Sequence, residues 1–167
     1  MTTIAFDGRT LAVDKASWQS DYVWSPVTKL FSVVPSKECR KRFRLDENAR
    51  LKWAASGDAS AAPLILDWMY EGGETPPLDT TNITTHGFIL NIDNSEIYRL
   101  TSRLTLEPLV KGVPVADGGG FQIALGAMLA GASAVEAIEI VASRSGWAAG
   151  GIDSYTLPGG LVAPGYV

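Results

Sequence analysis

The sequence predicts an α+β sandwich in which antiparallel hairpins alternate with groups of helices. Three observations predict it. Short strand-forming segments come in pairs joined by turn residues, helical spacing takes over in separate blocks, and the strand–helix–strand alternation of a doubly wound parallel sheet is missing. With 167 residues, 46% hydrophobic and 19% charged, the chain has enough apolar material to bury a core as one domain spanning 1–167.

The first element is Thr2-Thr3-Ile4-Ala5-Phe6, rich in strand formers. Asp7-Gly8 supplies turn chemistry, and Thr10–Asp14 returns as a second strand. The chain therefore begins directly with a hairpin and no leader, so its first residues are held by a sheet. Val27–Val34 (VTKLFSVV) predicts a third strand, stopped by Pro35. The segment SKECRKRFR gathers Lys37, Arg40, Lys41, Arg42 and Arg44. It reads either as an exposed hairpin or as an anion-binding or partner-docking patch, and the exposed hairpin is the plainer reading. Leu51–Ala55 predicts a strand running into Ser56-Gly57-Asp58.

From Ala59 to Tyr70 the spacing of Ala62, Ile65, Leu66 and Met69 predicts a helix, with Pro63 tolerated in its first turn. Gly72-Gly73 ends it, and 74–82 reads as a Pro-containing loop. Phe88–Ile92 and Glu96–Leu100 flank Asp93-Asn94-Ser95 as a hairpin, with Thr80, Thr81, Thr84 and Thr85 as loop and strand edge before it. After Asp117 and the run Gly118–Gly120, Phe121–Ala130 predicts a helix of small residues stopped by Gly131. Ser133 and Glu136 form a capping box that opens a second helix through Ala142. Gly150–Leu157 reads as the final strand.

Composition excludes several function classes. The net charge of −4 gives no basic field for nucleic acid or an acidic membrane surface. The lone Cys39 rules out an internal disulfide, and the single His86 rules out any two-histidine metal motif. No apolar run approaches the ~20 residues that span a bilayer, and the start lacks the features of a secretory signal. A soluble, cytoplasmic protein without cofactor is the expectation.

The candidate chemistry lies at the start of the chain. A threonine hydroxyl needs an adjacent base to act as a nucleophile near neutral pH. Removal of Met1 would give Thr2 a free α-amine, whose unperturbed pKa of roughly 7.7–8.0 suits a general base. With Met1 attached, that base does not exist. A nearby cation would depress the amine's pKa further, and a carboxylate would hold the cation. Lys29 and Asp14, on adjacent predicted strands, are within reach of the chain start.

MTTIAFDGRTLAVDKA resembles the opening of proteasome β-subunits and the bacterial HslV peptidase. Their mature chains begin Thr-Thr-Ile, turn at Gly and close the second strand in Ala-x-Asp. VTKL resembles the family's lysine strand, which makes Lys29 the amine-tuning cation and Asp14 its partner. Ala55-Ser56-Gly57-Asp58-Ala59 resembles the segment whose glycine N–H helps form the oxyanion hole, so the resemblance gives Gly57 that role. DGGGFQIALGAMLAGASAVEAIEI followed by GGI resembles the family's glycine-rich segment, helix pair and closing strand. The resemblance implies a four-layer αββα sandwich of two antiparallel sheets flanked by helices, the N-terminal-nucleophile hydrolase fold. It implies a peptide or unfolded-protein substrate, no cofactor, and a homo-oligomeric ring with face-to-face helix packing through Ala124, Gly126, Ala127 and Ala130.

Three positions depart from the family pattern. Gly119 stands where the family has a serine, and Gly146 and Ala149 stand where it has an aspartate and a serine. Those groups normally hydrogen-bond around the terminal amine, so two readings stay open: a threonine-type hydrolase, or a structural subunit that kept the fold without the chemistry. The remaining signals have plain readings. Gly118–Gly120 lacks the Gly-Lys-Ser/Thr of a phosphate loop, Ser56 lacks a nucleophile-elbow pattern, and His86 reads as a surface or edge residue. Thr2 also reads as an ordinary strand threonine, Asp14 and Lys29 as a structural ion pair, and Gly57 as a helix-start glycine. Trp18, Trp24, Trp53, Trp68 and Trp147 read as core or subunit-contact residues.

Overall fold

A computed structural model describes residues 2–18, 24–58, 61–73, 85–146 and 148–159. Strands β1 (Thr3–Phe6) and β2 (Thr10–Asp14) form the opening hairpin, with Ile4 opposite Val13. Asp7 closes its turn, the carboxylate accepting the N–H groups of Arg9 at 2.9 Å and Thr10 at 2.7 Å. Gly8 has φ +98°, and a Cβ there would lie 2.7 Å from the Gly112 carbonyl oxygen, so the turn requires glycine.

Two short strands follow, β3 (Ala16–Trp18) and β4 (Trp24–Pro26), paired with each other. Then come β5 (Leu30–Val33), helix α1 (Lys37–Phe43), β6 (Leu51–Ser56), helix α2 (Ala61–Glu71) and the hairpin of β7 (His86–Asn91) and β8 (Glu96–Leu100). The chain continues through β9 (Leu106–Pro108), β10 (Val115–Gly118), the helices α3 (Phe121–Leu129) and α4 (Ala134–Arg144), and β11 (Ile152–Thr156). One antiparallel sheet has the order β10-β1-β2-β11, and another has the order β5-β6-β7-β8-β9.

Strand alternation sorts the apolar residues into three buried layers. Ile4, Phe6, Leu11 and Val13 face Ala54, Phe88, Leu90 and Ile97, filling the space between the sheets. On the opposite face of the first sheet, Ala5, Ala12 and Ala116 pack against Ala124, Ala137, Ile138 and Val141, where small strand residues admit α3 and α4 closely. On the far face of the second sheet, Leu51, Trp53 and Ile89 pack against Cys39, Ile65, Trp68 and Met69 of α1 and α2. The result is the expected four-layer αββα sandwich of two antiparallel sheets.

Several expectations need correction. The strand expected over 27–34 begins at Leu30, leaving Val27, Thr28 and Lys29 outside it. Residues 24–26 are committed to pairing with β3, so the chain must turn over 27–29 before entering the second sheet. The basic segment is a helix rather than a hairpin. Ser36 caps it by accepting the Cys39 N–H, and Cys39 and Phe43, four residues apart, bury one face. Strands β3, β4 and β9 were not anticipated. Trp53 and Trp68 are core residues as expected; the side chains of Trp18 and Trp24, all of Trp147, and the loop at 74–82 with Thr80, Thr81 and Thr84 lie outside what is described.

Candidate active site

The opening strand holds Thr2 between the sheets. Its carbonyl accepts the Gly119 N–H at 2.8 Å, and Thr3 pairs with Gly118. A Cβ on Gly118 would lie 1.9 Å from the Thr2 carbonyl oxygen, and its φ is +86°. Only glycine permits this approach. The Gly120 N–H in turn reaches the Thr3 hydroxyl at 3.1 Å. The N–H groups of Gly119 and Gly120 are thus spent on the start of the chain, which removes the phosphate-cradle reading of this run.

Thr2, Asp14 and Lys29 come together as expected. Lys29 Nζ donates to Thr2 Oγ1 at 2.7 Å, with both residues buried. It stands 3.7 Å from Asp14 Oδ1, an ion-pair distance longer than a hydrogen bond. Lys29 is placed from the other sheet: it directly precedes β5, and its carbonyl accepts the Ala55 N–H at 2.8 Å. The site therefore spans both sheets, and neither sheet could build it alone.

Asp14 has no exposed surface and is anchored by backbone. Its Oδ1 accepts the Thr3 N–H at 2.7 Å, and its Oδ2 accepts those of Ala16 at 3.0 Å and Ala149 at 3.3 Å. Burial pushes its pKa upward, against the pull of the Thr3 N–H, the Lys29 charge and the N–H groups of Ala16 and Ala149. Burial likewise lowers the Lys29 ammonium below an ordinary lysine, against the pull of Asp14. The pair is costly to desolvate, and its hydrogen-bond partners offset that cost.

Gly57 follows the last residue of β6, at the end of the strand where Ala55 binds Lys29. Its φ is +93°, it is exposed, and among the described residues nothing accepts its N–H. Residues missed by sequence reasoning are Thr3 and Asp117. Thr3 joins Asp14 to Gly120, and the doubled threonine was its only signal. Asp117 on β10 stands 3.6 Å from Nε2 of His86 on β7, so the histidine read as an edge residue also links the two sheets. Burial would raise the Asp117 pKa, yet His86, the Gly118 N–H and Arg99 together hold it below the usual carboxylate value. Among the described residues no three His, Cys, Asp or Glu side chains gather as metal ligands.

No protein-family model and no curated protein matches the sequence. Solved structures do match in shape. Eukaryotic HslV from Trypanosoma brucei aligns over 93% of this chain and 98% of its own, at a TM-score of 0.55 and 13% identity. The fold is that of HslV-like proteasome subunits. BPH from Thiobacillus denitrificans shares this proteasome-like fold at 18% identity and a TM-score of 0.55, covering 93% of this chain and 97% of BPH. Anbu from Hyphomicrobium sp. strain MC1 aligns at a TM-score of 0.66 and 9% identity, over 93% of this chain and 82% of Anbu. The proteasome-like likeness thus extends over nearly the whole chain, while identity stays low.

Proposed function

We propose that this chain is a threonine-type peptide or amide hydrolase acting through Thr2 after removal of Met1. One observation carries the reading: a buried lysine, neutralised by a buried aspartate from the neighbouring strand, contacts the Thr2 hydroxyl at 2.7 Å. An ordinary strand threonine has no need of such company. In the proposed reaction the free α-amine of Thr2 takes the hydroxyl proton as Oγ1 bonds to the substrate carbonyl carbon. The Lys29 charge keeps the amine unprotonated at neutral pH, and the Gly57 N–H stabilises the oxyanion. The proton passes to the leaving amine, the C–N bond breaks, and water then hydrolyses the Thr2 ester.

The second reading, a structural subunit without activity, is favoured by Gly119, Gly146 and Ala149. At Gly119 and Ala149 the backbone N–H groups serve Thr2 and Asp14, and no side chain is available to orient a terminal amine. Space for one exists at Gly146, where an added Cβ meets nothing within 4 Å. Under either reading we infer a homo-oligomer, ring-shaped by analogy with the proteasome-like neighbours. Of the residues expected at the helix contact, Gly126 and Ala130 are exposed, but Ala124 is buried against the first sheet. It is Phe121, Ile123 and Leu129 on α3 and Ile140 on α4 that leave apolar surface exposed, as an interface requires.

Cleavage of fluorogenic peptides by protein whose intact mass lacks Met1 tests the choice. The hydrolase reading expects turnover that falls by at least about a hundredfold in Thr2→Ala and in Lys29→Ala, the scale expected when a nucleophile or its activator is removed. Protein that retains Met1, or Met1-free protein without turnover, favours the structural reading.

A further inference from the structure

Helix α1 ends at Arg44, whose backbone is left-handed at φ 55°. Leu104, between β8 and β9, has φ 56° and is buried. Such conformations favour glycine, and a bulky residue stays in one only when its surroundings impose it. Here each conformation closes an element end, Arg44 as the C-cap of α1 and Leu104 in the turn before β9. Arg44 and Leu104 line the same cavity, of about 510 Å³, between the end of α1 and the β8–β9 edge. That volume lies within the range of small-molecule pockets.

The charged side chains that line the cavity are all basic. Arg42, Arg44 and Arg103 line it, and Leu104, Leu106 and Pro108 supply an apolar wall. Arg42 is held in place, donating to the Gly73 carbonyl at 3.0 Å and lying 5.4 Å from the centre of the Trp68 ring. Two carboxylates act on Tyr98 of the wall, Glu96 and Asp46; Glu96 is engaged by both Tyr98 and Asn94. The side chains of Arg44 and Arg103 make no hydrogen bond or ion pair among the described residues. Arg44 and Arg103, two cations on one cavity with no counter-ion bonded to them among the described residues, point to an anion supplied from outside.

We propose that this groove binds a small organic anion, its phosphate or carboxylate held by Arg44 and Arg103 and its apolar body resting on Leu104, Leu106 and Pro108. A peptide added to the sheet edge fits less well. Strand β9 has only three residues, and Pro108 has no N–H to offer a new ladder.

Calorimetric titration of the full chain with phenyl phosphate, 3-phenylpropanoate and phenol tests this. One or both anions should bind, the tighter one identifying the oxyanion preferred, and neutral phenol should not. Arg44→Ala/Arg103→Ala should weaken anion binding at least about tenfold, the scale of a lost charge-assisted hydrogen bond. Arg144→Ala on α4 should leave it unchanged. Glycine accepts φ 55° without strain, so Arg44→Gly keeps the fold, and its loss of binding reports the side chain alone. Equal binding by the double variant, binding of phenol as strong as that of the anions, or no binding of either anion would overturn the proposal. So would an acidic peptide that binds through these arginines when neither small anion does, which would identify a protein partner instead. None of these outcomes depends on chemistry at Thr2.

Discussion

Lys29 sits in a conflict that sets its behaviour with pH. Burial lowers its folded-state pKa below 10.5, while in the unfolded chain it titrates as an ordinary lysine. Between those two values the unfolded state binds more protons than the folded one, so this residue makes stability rise with pH across that window. Asp14 acts in the opposite sense at the acid end, where its raised pKa makes stability fall as pH climbs from 3.8 through the folded value. Urea unfolding of the wild type and of Lys29→Met, followed from neutral pH towards 10.5, isolates the lysine. The wild type should gain stability relative to the variant as pH rises; a constant difference would mean that burial does not perturb Lys29. Thr2 and Asp14 were legible in sequence because they open and close short strand-like runs near the chain start. Lys29 lay inside the strand expected over 27–34 and was marked by the resemblance of VTKL to the proteasome family's lysine strand. The Ala149 and Gly119 contacts were not, because they are made by backbone N–H groups, which any residue but proline supplies.

Among the elements, the opening hairpin and helix α4 share one carboxylate. Asp7 Oδ1 fixes the β1–β2 turn, and its Oδ2 accepts the Ala134 N–H at 2.8 Å, at the N-terminus of α4. The first strand, which Thr2 directly precedes, is thereby tied to the helix layer above it. Asp7→Ala should cost about 2–3 kcal/mol in urea unfolding, roughly 1 kcal/mol for each of three lost hydrogen bonds. Asp7→Asn, which keeps acceptors, should recover part of that loss, and a cost below about 0.5 kcal/mol would show the tie to be idle. The same contrast explains which elements could be read. Strand β2 and the capping box of α4 carry their signals within a few consecutive residues and were placed correctly. Helix α1 shows only Cys39 and Phe43 on its apolar face, set among five basic residues, so charge density concealed the helical period. Strands β3, β4 and β9 are three residues each, too short to display alternation.

At the scale of the whole molecule, the sandwich brings the two sheets together over a layer that includes Ile4, Phe6, Val13, Phe88 and Leu90. That packing carries Lys29 from one sheet to Thr2 and Asp14 on the other. The layered fold was legible because hairpins and helix pairs follow one another in order, whereas the meeting of Lys29 with Thr2 depends on packing between sheets that no local pattern records. An electrophile selective for an N-terminal threonine probes that meeting directly. Purified Met1-free protein should be incubated with such a probe and the modified residue located by peptide mass mapping. One adduct per chain is expected on Thr2, lost in Thr2→Ala and strongly slowed in Lys29→Ala. An unmodified Thr2 in protein shown to have lost Met1 would contradict the proposed role of Thr2.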